Sequence, residues 1–129
     1  MKRNQTGFTM IELIVVIVIL GILAATALPK FIDMRAEASK AALDGVAGAS
    51  STAMQINYAG CVVTNNKVAD QKCVAISKCS QVTELLQGGL PKGYTAEGDI
   101  GGTNGTSAEC KLTGPDGNGA PFTGVSAGN

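Results

Sequence analysis

The chain has 129 residues, ten basic and ten acidic side chains that cancel, and no histidine. That length holds one small domain plus an anchor. The balanced charge argues against a nucleic-acid surface, and the missing histidine excludes a Ser-His-Asp set or a mixed Cys/His zinc site.

Two basic residues, Lys2 and Arg3, open the chain, followed by Gly7-Phe8-Thr9-Met10-Ile11-Glu12 and an uncharged run from Leu13 to Leu28. Three readings compete for this stretch. As a secretory signal peptide it offers an apolar h-region and an Ala25-Thr26-Ala27 cleavage site. As a transmembrane anchor, Phe8 to Leu28 is 21 residues, which as a helix spans roughly 30 Å, the thickness of a hydrocarbon core. The third reading is an anchor that later leaves the membrane and packs against copies of itself. Glu12 favours the third. A carboxylate inside an apolar segment is costly and calls for a named partner. A cut between Gly7 and Phe8 would create an α-amino group one helical turn before Glu12. In a staggered bundle that amine meets the Glu12 of a neighbour, and two charges buried in an apolar shaft stabilise only as a pair.

From Phe8 the pattern predicts one long helix to about Tyr58, with Pro29 and Gly21 as points of flexibility. Past the proline, Phe31, Met34, Ala38, Ala42, Gly45, Ala49, Ala53 and Ile56 recur at spacings of three and four, the mark of a buried face. Leu43, Val46 and Ala47 lie beside it and widen it. Asp33, Arg35, Glu37, Lys40, Asp44 and Gln55 form a solvated side, and Gly60 is placed to cap the helix.

Large apolar residues are sparse beyond Pro29, so the folded part has a small core that needs staples. Cys61, Cys73, Cys79 and Cys110 supply them as two disulfides, which implies an oxidising compartment. Cys61 to Thr64 and Cys73 to Ile76 are β-prone around a turn at Asn65-Asn66-Lys67, predicting a hairpin with Cys61 opposite Cys73. Four cysteines allow three pairings; Cys61–Cys73 with Cys79–Cys110 fits that hairpin. Ser80 is expected to cap a short helix over Gln81 to Gln87, stopped by Gly88-Gly89. Strands are expected from Tyr94, around Ala108, Cys110 and Leu112, and from Phe122 to Val125, with a turn at 114–119. Asp99 and Asp116 sit in Gly-rich loops but outside any Asp-x-Asp array, so no metal site is expected. Asn104-Gly105-Thr106 is a sequon that also reads as a turn.

The short basic leader, Gly7-Phe8-Thr9-Met10-Ile11-Glu12, the apolar helix with Gly21, and Pro29 before Lys30-Phe31 closely resemble the N-terminus of type IV prepilins, MSHA-like and type IVa pilins above all, and of their pseudopilin relatives. Met10 stands where Leu is commoner, a volume-conserving change. The resemblance implies an α+β fold, a long N-terminal helix with a small antiparallel β-sheet on its C-terminal half. It divides the chain into a leader (1–7), a transmembrane and filament-core helix (8–29) and a globular domain (30–129). It implies cleavage by a prepilin peptidase between Gly7 and Phe8, N-methylation of Phe8, and subunit assembly through Phe8, Thr9 and Glu12. The expected partners are further copies in a helical filament, the inner membrane before assembly, and the pilus assembly machinery, with an extracellular pilus as the destination. No cofactor and no enzymatic activity are expected. The function implied is the structural subunit of a type IV pilus, serving adhesion, motility or DNA uptake; the alternative is a pseudopilin of a type II secretion system.

Overall fold

A computed structural model of the chain describes residues 7–129, with side chains for all of these except 27–33. The expected leader ahead of Gly7 therefore lies outside the described residues, as do the side chains around Pro29, one of the two expected points of flexibility. Two compact units, Met1–Ala38 and Ser39–Asn129, are described separately below. The long helix, α1, is assigned over Met10–Val63.

In the second unit α1 ends later than the sequence suggests. Val62 and Val63 are β-prone, but adding a residue to a helix already formed is easier than nucleating a new hairpin. The expected hairpin from Cys61 to Ile76 does not form; only Ala69 and Cys73 pair, as an isolated bridge around a tight turn. Gly60 is not the cap. Asn65 and Asn66 take the left-handed conformation instead, at φ 53 and 57. The Asn66 N–H donates to the Cys61 carbonyl at 2.7 Å, closing the last turn. Gly60 serves close packing instead. A Cβ there would overlap the main-chain oxygen of Lys72, so the glycine lets the 71–73 segment lie against the helix.

The buried face of α1 is also displaced from the expected one. Leu43, Ala47, Ser50, Met54, Asn57 and Cys61 are buried, whereas Ala38, Ala42, Gly45, Ala49 and Ile56 are exposed. The two stripes share the same spacing and lie one residue, about 100°, apart around the helix. Both polar groups on the buried face are satisfied. Ser50 Oγ donates to the Val46 carbonyl at 2.8 Å. Asn57 forms a reciprocal pair with Val74, donating from Nδ2 to its carbonyl and accepting from its N–H, both at 2.9 Å.

Three strands follow, β1 (Thr95–Glu97), β2 (Ser107–Thr113) and β3 (Gly119–Val125), in an antiparallel meander of order β1-β2-β3. Cys110 faces Phe122, and Leu112 lies between Ala96 and Ala120. These residues point into the core with Leu43, Ala47, Met54, Ile76, Val82 and Ile100, while Glu109, Lys111 and Thr123 point out. The Thr123 N–H on the outer edge of β3 donates to Ser51 Oγ of α1 at 3.0 Å, so the helix covers an edge that would otherwise be open. The fold is thus α+β, as expected.

The short helix expected over Gln81 to Gln87 is a 3-10 turn over Cys79–Glu84, with Lys78 rather than Ser80 at its start. Gln81 organises it. Its side-chain oxygen accepts the N–H groups of Ser77 and Lys78, each at 2.9 Å, and its Nε2 donates to the Ala75 carbonyl at 3.1 Å. The turn ends at Glu84, where the Leu85 N–H donates to the Val82 carbonyl at 3.0 Å, so the expected stop at Gly88 and Gly89 lies beyond it; these glycines, at φ 82 and 77, turn the chain that follows. Both disulfides pair sequentially as expected, Cys61–Cys73 with Cα atoms 4.6 Å apart and Cys79–Cys110 with 5.7 Å, each within the normal range for a bridge.

Candidate assembly site on the N-terminal helix

In the first unit Gly7 and Phe8 precede the helix, and the Phe8 side chain is 89% exposed. Thr9 is the residue before the first helical turn. The Thr9 N–H donates to Glu12 Oε2 at 3.0 Å, and the Glu12 N–H donates to Thr9 Oγ1 at 3.4 Å. The Thr9 carbonyl accepts the Leu13 N–H at 3.2 Å, the first bond of the helical ladder. This is a reciprocal capping box: it satisfies two main-chain donors at a helix start and sets a carboxylate at the positive end of the helix dipole. Sequence reasoning assigns Glu12 a single role, pairing with a neighbour. The Thr-x-x-Glu spacing ahead of an apolar run is the signal for the second one.

Behind the box the helix surface is apolar on every side. Twelve large hydrophobic side chains from Met10 to Leu23 are about half exposed or more. A Cβ on Gly21 would meet nothing within 4 Å, so no part of the described chain packs there. Fully burying one such side chain stabilises by roughly 1.5–3 kcal/mol. Half of that for twelve residues is on the order of 10–20 kcal/mol left ungained, as much as the whole stability of a typical domain. A surface of this kind requires an apolar surrounding. Among the described residues, however, no helix is long and apolar enough to cross a membrane; the expected span of 8–29 includes 27–29, whose side chains are not described.

The remaining expected site residues lie in the second unit. Cys61, Cys73, Cys79 and Cys110 are all buried and serve as staples. Asp116 and Asp99 do not meet: Asp99 Oδ1 accepts the Gly101 N–H at 3.3 Å, and Asp116 Oδ2 accepts from Asn118 Nδ2 at 2.9 Å. No group of three or more metal-ligating side chains occurs among the described residues. Desolvation opposes it, but together the hydrogen bonds from the Asn118 side chain, the main chain at 116 and 118, and Ser39 hold the Asp116 carboxyl below its ordinary range. Asn104 of the sequon is engaged with Asn129, donating from Nδ2 to its main-chain oxygen at 2.8 Å and accepting its N–H at 2.9 Å.

Residues 2–28 match the prokaryotic N-terminal methylation motif. The chain is 39% identical over 89 residues to the type IV narrow pilus major component PilA5 of Thermus thermophilus, covering 69% of this chain and 66% of that protein. It is 43% identical over 58 residues to the fimbrial protein EcpC of Eikenella corrodens, 45% of this chain and 38% of that one. To the type IV major pilin protein PilE1 of Neisseria gonorrhoeae it is 56% identical over 45 residues, 33% of this chain and 27% of that one. The matched stretch thus spans less than two thirds of each of these relatives. No solved structure matches the chain. The methylation motif at the head of an exposed apolar helix, the helix-and-sheet fold stapled by two disulfides, and these pilin relatives together show that the chain belongs to the type IV pilin family.

Proposed function

We propose that the protein is the structural subunit of a type IV pilus, polymerising into a helical surface filament. The observation that carries this reading is the helix beginning at Met10: apolar on every side, left exposed by its own chain, and headed by a single carboxylate. Before assembly the inner membrane surrounds it; afterwards the helices of other copies do. A prepilin peptidase removes residues 1–7, and the new Phe8 amine is methylated, in keeping with the matched motif. Glu12 then acts in two ways. Oε2 closes the capping box, and the carboxylate as a whole neutralises the Phe8 amine of an adjacent subunit within the filament core. Gly21 and Pro29 give the helix the freedom to adjust as it leaves the bilayer. The globular unit is what the shaft displays at the surface for adhesion, motility or DNA uptake.

The test is electron microscopy of filaments sheared from cells, with mass spectrometry of their subunit. Long fibres built from a chain beginning at methylated Phe8 are expected. A subunit beginning after Ala27, the product of ordinary signal-peptide cleavage, refutes the reading.

A further inference from the structure

Residues 126–129 run across the segment that carries Cys73. Ile76 and Ala127 exchange both main-chain bonds, with Ile76 N–H to Ala127 O at 2.8 Å and Ala127 N–H to Ile76 O at 3.1 Å. The Ile76 carbonyl also accepts from Ser126 Oγ at 3.0 Å and from Asn129 Nδ2 at 2.8 Å. Gly128, at φ 70, lies so close that an added Cβ would stand 3.0 Å from Ala75 Cα and 3.1 Å from Cys73 Sγ. Ala127 packs in one buried cluster with Cys61 and Cys73, whose side chains are 0% and 1% exposed. The outer end is fastened by Asn104 through its two hydrogen bonds to the main chain of Asn129.

We propose that residues 126–129 are a strap, latched by Asn104, that covers the Cys61–Cys73 bridge and controls how fast thiols reach it. Reduction begins when a thiolate attacks one sulfur in line with the S–S bond. That forms a mixed disulfide and releases the other cysteine as a thiolate; a second thiol of the reductant then frees the first cysteine, and the bridge has taken up two electrons and two protons. The attack needs open space beside the sulfur. With Ala127 and Gly128 in place there is none, so reduction must wait for the strap to lift. The second bridge, Cys79–Cys110, is covered differently, by Gly98 and Gly124 of the sheet region, and does not depend on the strap. The device keeps the end of α1 tied to the 69–76 segment while the protein is exposed to thiols, and it operates in a monomer as in an assembly.

The experiment uses the full chain in detergent micelles, pulsed with dithiothreitol, alkylated and read by peptide mass spectrometry so that each bridge is followed separately. Asn104→Ala removes both latch bonds. The expected result is reduction of Cys61–Cys73 about tenfold faster or more, with Cys79–Cys110 at its original rate. Equal acceleration of both bridges, or no change in either, overturns the proposal. A measurement on the unaltered chain stands independently of how the variant folds. Hydrogen exchange of the Ala127 amide should report the same opening rate as Cys61–Cys73 reduction under strong reductant. A match to the exchange of Leu112 in the sheet instead means that global unfolding opens the bridge, and the strap has no separate role.

Discussion

Replacing Glu12 by Gln and by Ala separates two effects that a single substitution confounds. The capping box needs only an acceptor for the Thr9 N–H, now 3.0 Å from Glu12 Oε2, and a Gln side chain supplies one. Glu12→Gln therefore loses only the interaction of the charge with the helix dipole, about 0.3–1 kcal/mol. Glu12→Ala loses the hydrogen bond as well, a further contribution of about 1 kcal/mol. Filament assembly responds to something else. In the proposed packing either change leaves a neighbour's Phe8 amine without its counter-charge in an apolar core, which costs about 3–5 kcal/mol per subunit. That is a factor of about 10² to 10³ or more in the equilibrium for adding a subunit. Both variants should be cleaved after Gly7 and accumulate in the membrane, and both should yield few sheared filaments. Amide exchange at Ile11 to Leu13 in micelles should tell them apart: faster by about two- to fivefold for Glu12→Gln, and by about a further fivefold for Glu12→Ala. Filaments of Glu12→Gln at the original yield refute the charge pair. Equal exchange in the two variants refutes the box.

Gly60→Ala should lower stability by about 1–3 kcal/mol, because the new methyl meets the Lys72 main chain rather than a yielding side chain; thermal melting should show it as a loss of several degrees for each kcal/mol. Removing the Cys79–Cys110 bridge opens a closure of 31 residues, worth about 3.5–4 kcal/mol on the chain-entropy model, and the double Ala variant should melt correspondingly lower than the intact chain. The depressed Asp116 carboxyl contributes stability that is present above its ordinary titration range and lost as pH falls through the lower folded value. Asp116→Asn should therefore remove that small contribution at neutral pH and flatten that part of the acid-unfolding curve, bringing the variant and the original together at low pH; an unaltered acid limb refutes the assignment. Ala47→Glu places a charge in the core and should unfold the domain, while Ala49→Glu, two residues on but exposed, should melt within about 0.5 kcal/mol of the original; the reverse order refutes the assigned helix face.

What could be read from the sequence divides along physical lines. The N-terminal motif was legible because a carboxylate within an apolar run is chemically expensive and leaves few readings. The meander was legible because Ala108, Cys110 and Leu112 alternate with polar residues and a Gly-rich turn separates them from Phe122, which is local information. The disulfides pair in the expected order, but not through the expected hairpin. Cys61 and Cys73 do approach, but the end of a helix and a tight turn bring them together, with no hairpin. The segment from Gly60 to Ile76 departs from its local propensities because its conformation depends on partners remote in sequence. Asn57 holds Val74 across 17 positions, and Ile76 pairs with Ala127 across 51. No window of local propensity contains such contacts. The same holds for the latch at Asn104, which as a sequence element looks like a sequon and a turn.

The buried helix face differs from the expected one for a reason that bears on function. Two stripes one residue apart satisfy the same spacing of three and four, so periodicity cannot choose between them; side-chain volume can. The inner face of the sheet is built largely from small residues, Ala96, Ala108, Ala120 and Gly124, with Leu112 and Phe122 as its large members. A core packed to normal density must then draw its bulk from the helix, and Leu43 and Met54 supply more of it than Ala42 and Ala53. The larger stripe turns inward, and the stripe of Ala38, Ala42, Gly45 and Ala49 is left outside. Were these residues only solvated, long polar side chains would serve as well, as they do at Lys40 and Asp44. A strip without bulk allows another backbone to come close, and along α1 it lies beyond an apolar segment that also lacks a partner within its own chain. Under the proposed function both exposures have one explanation: the side chains that would cover them belong to other copies of the subunit.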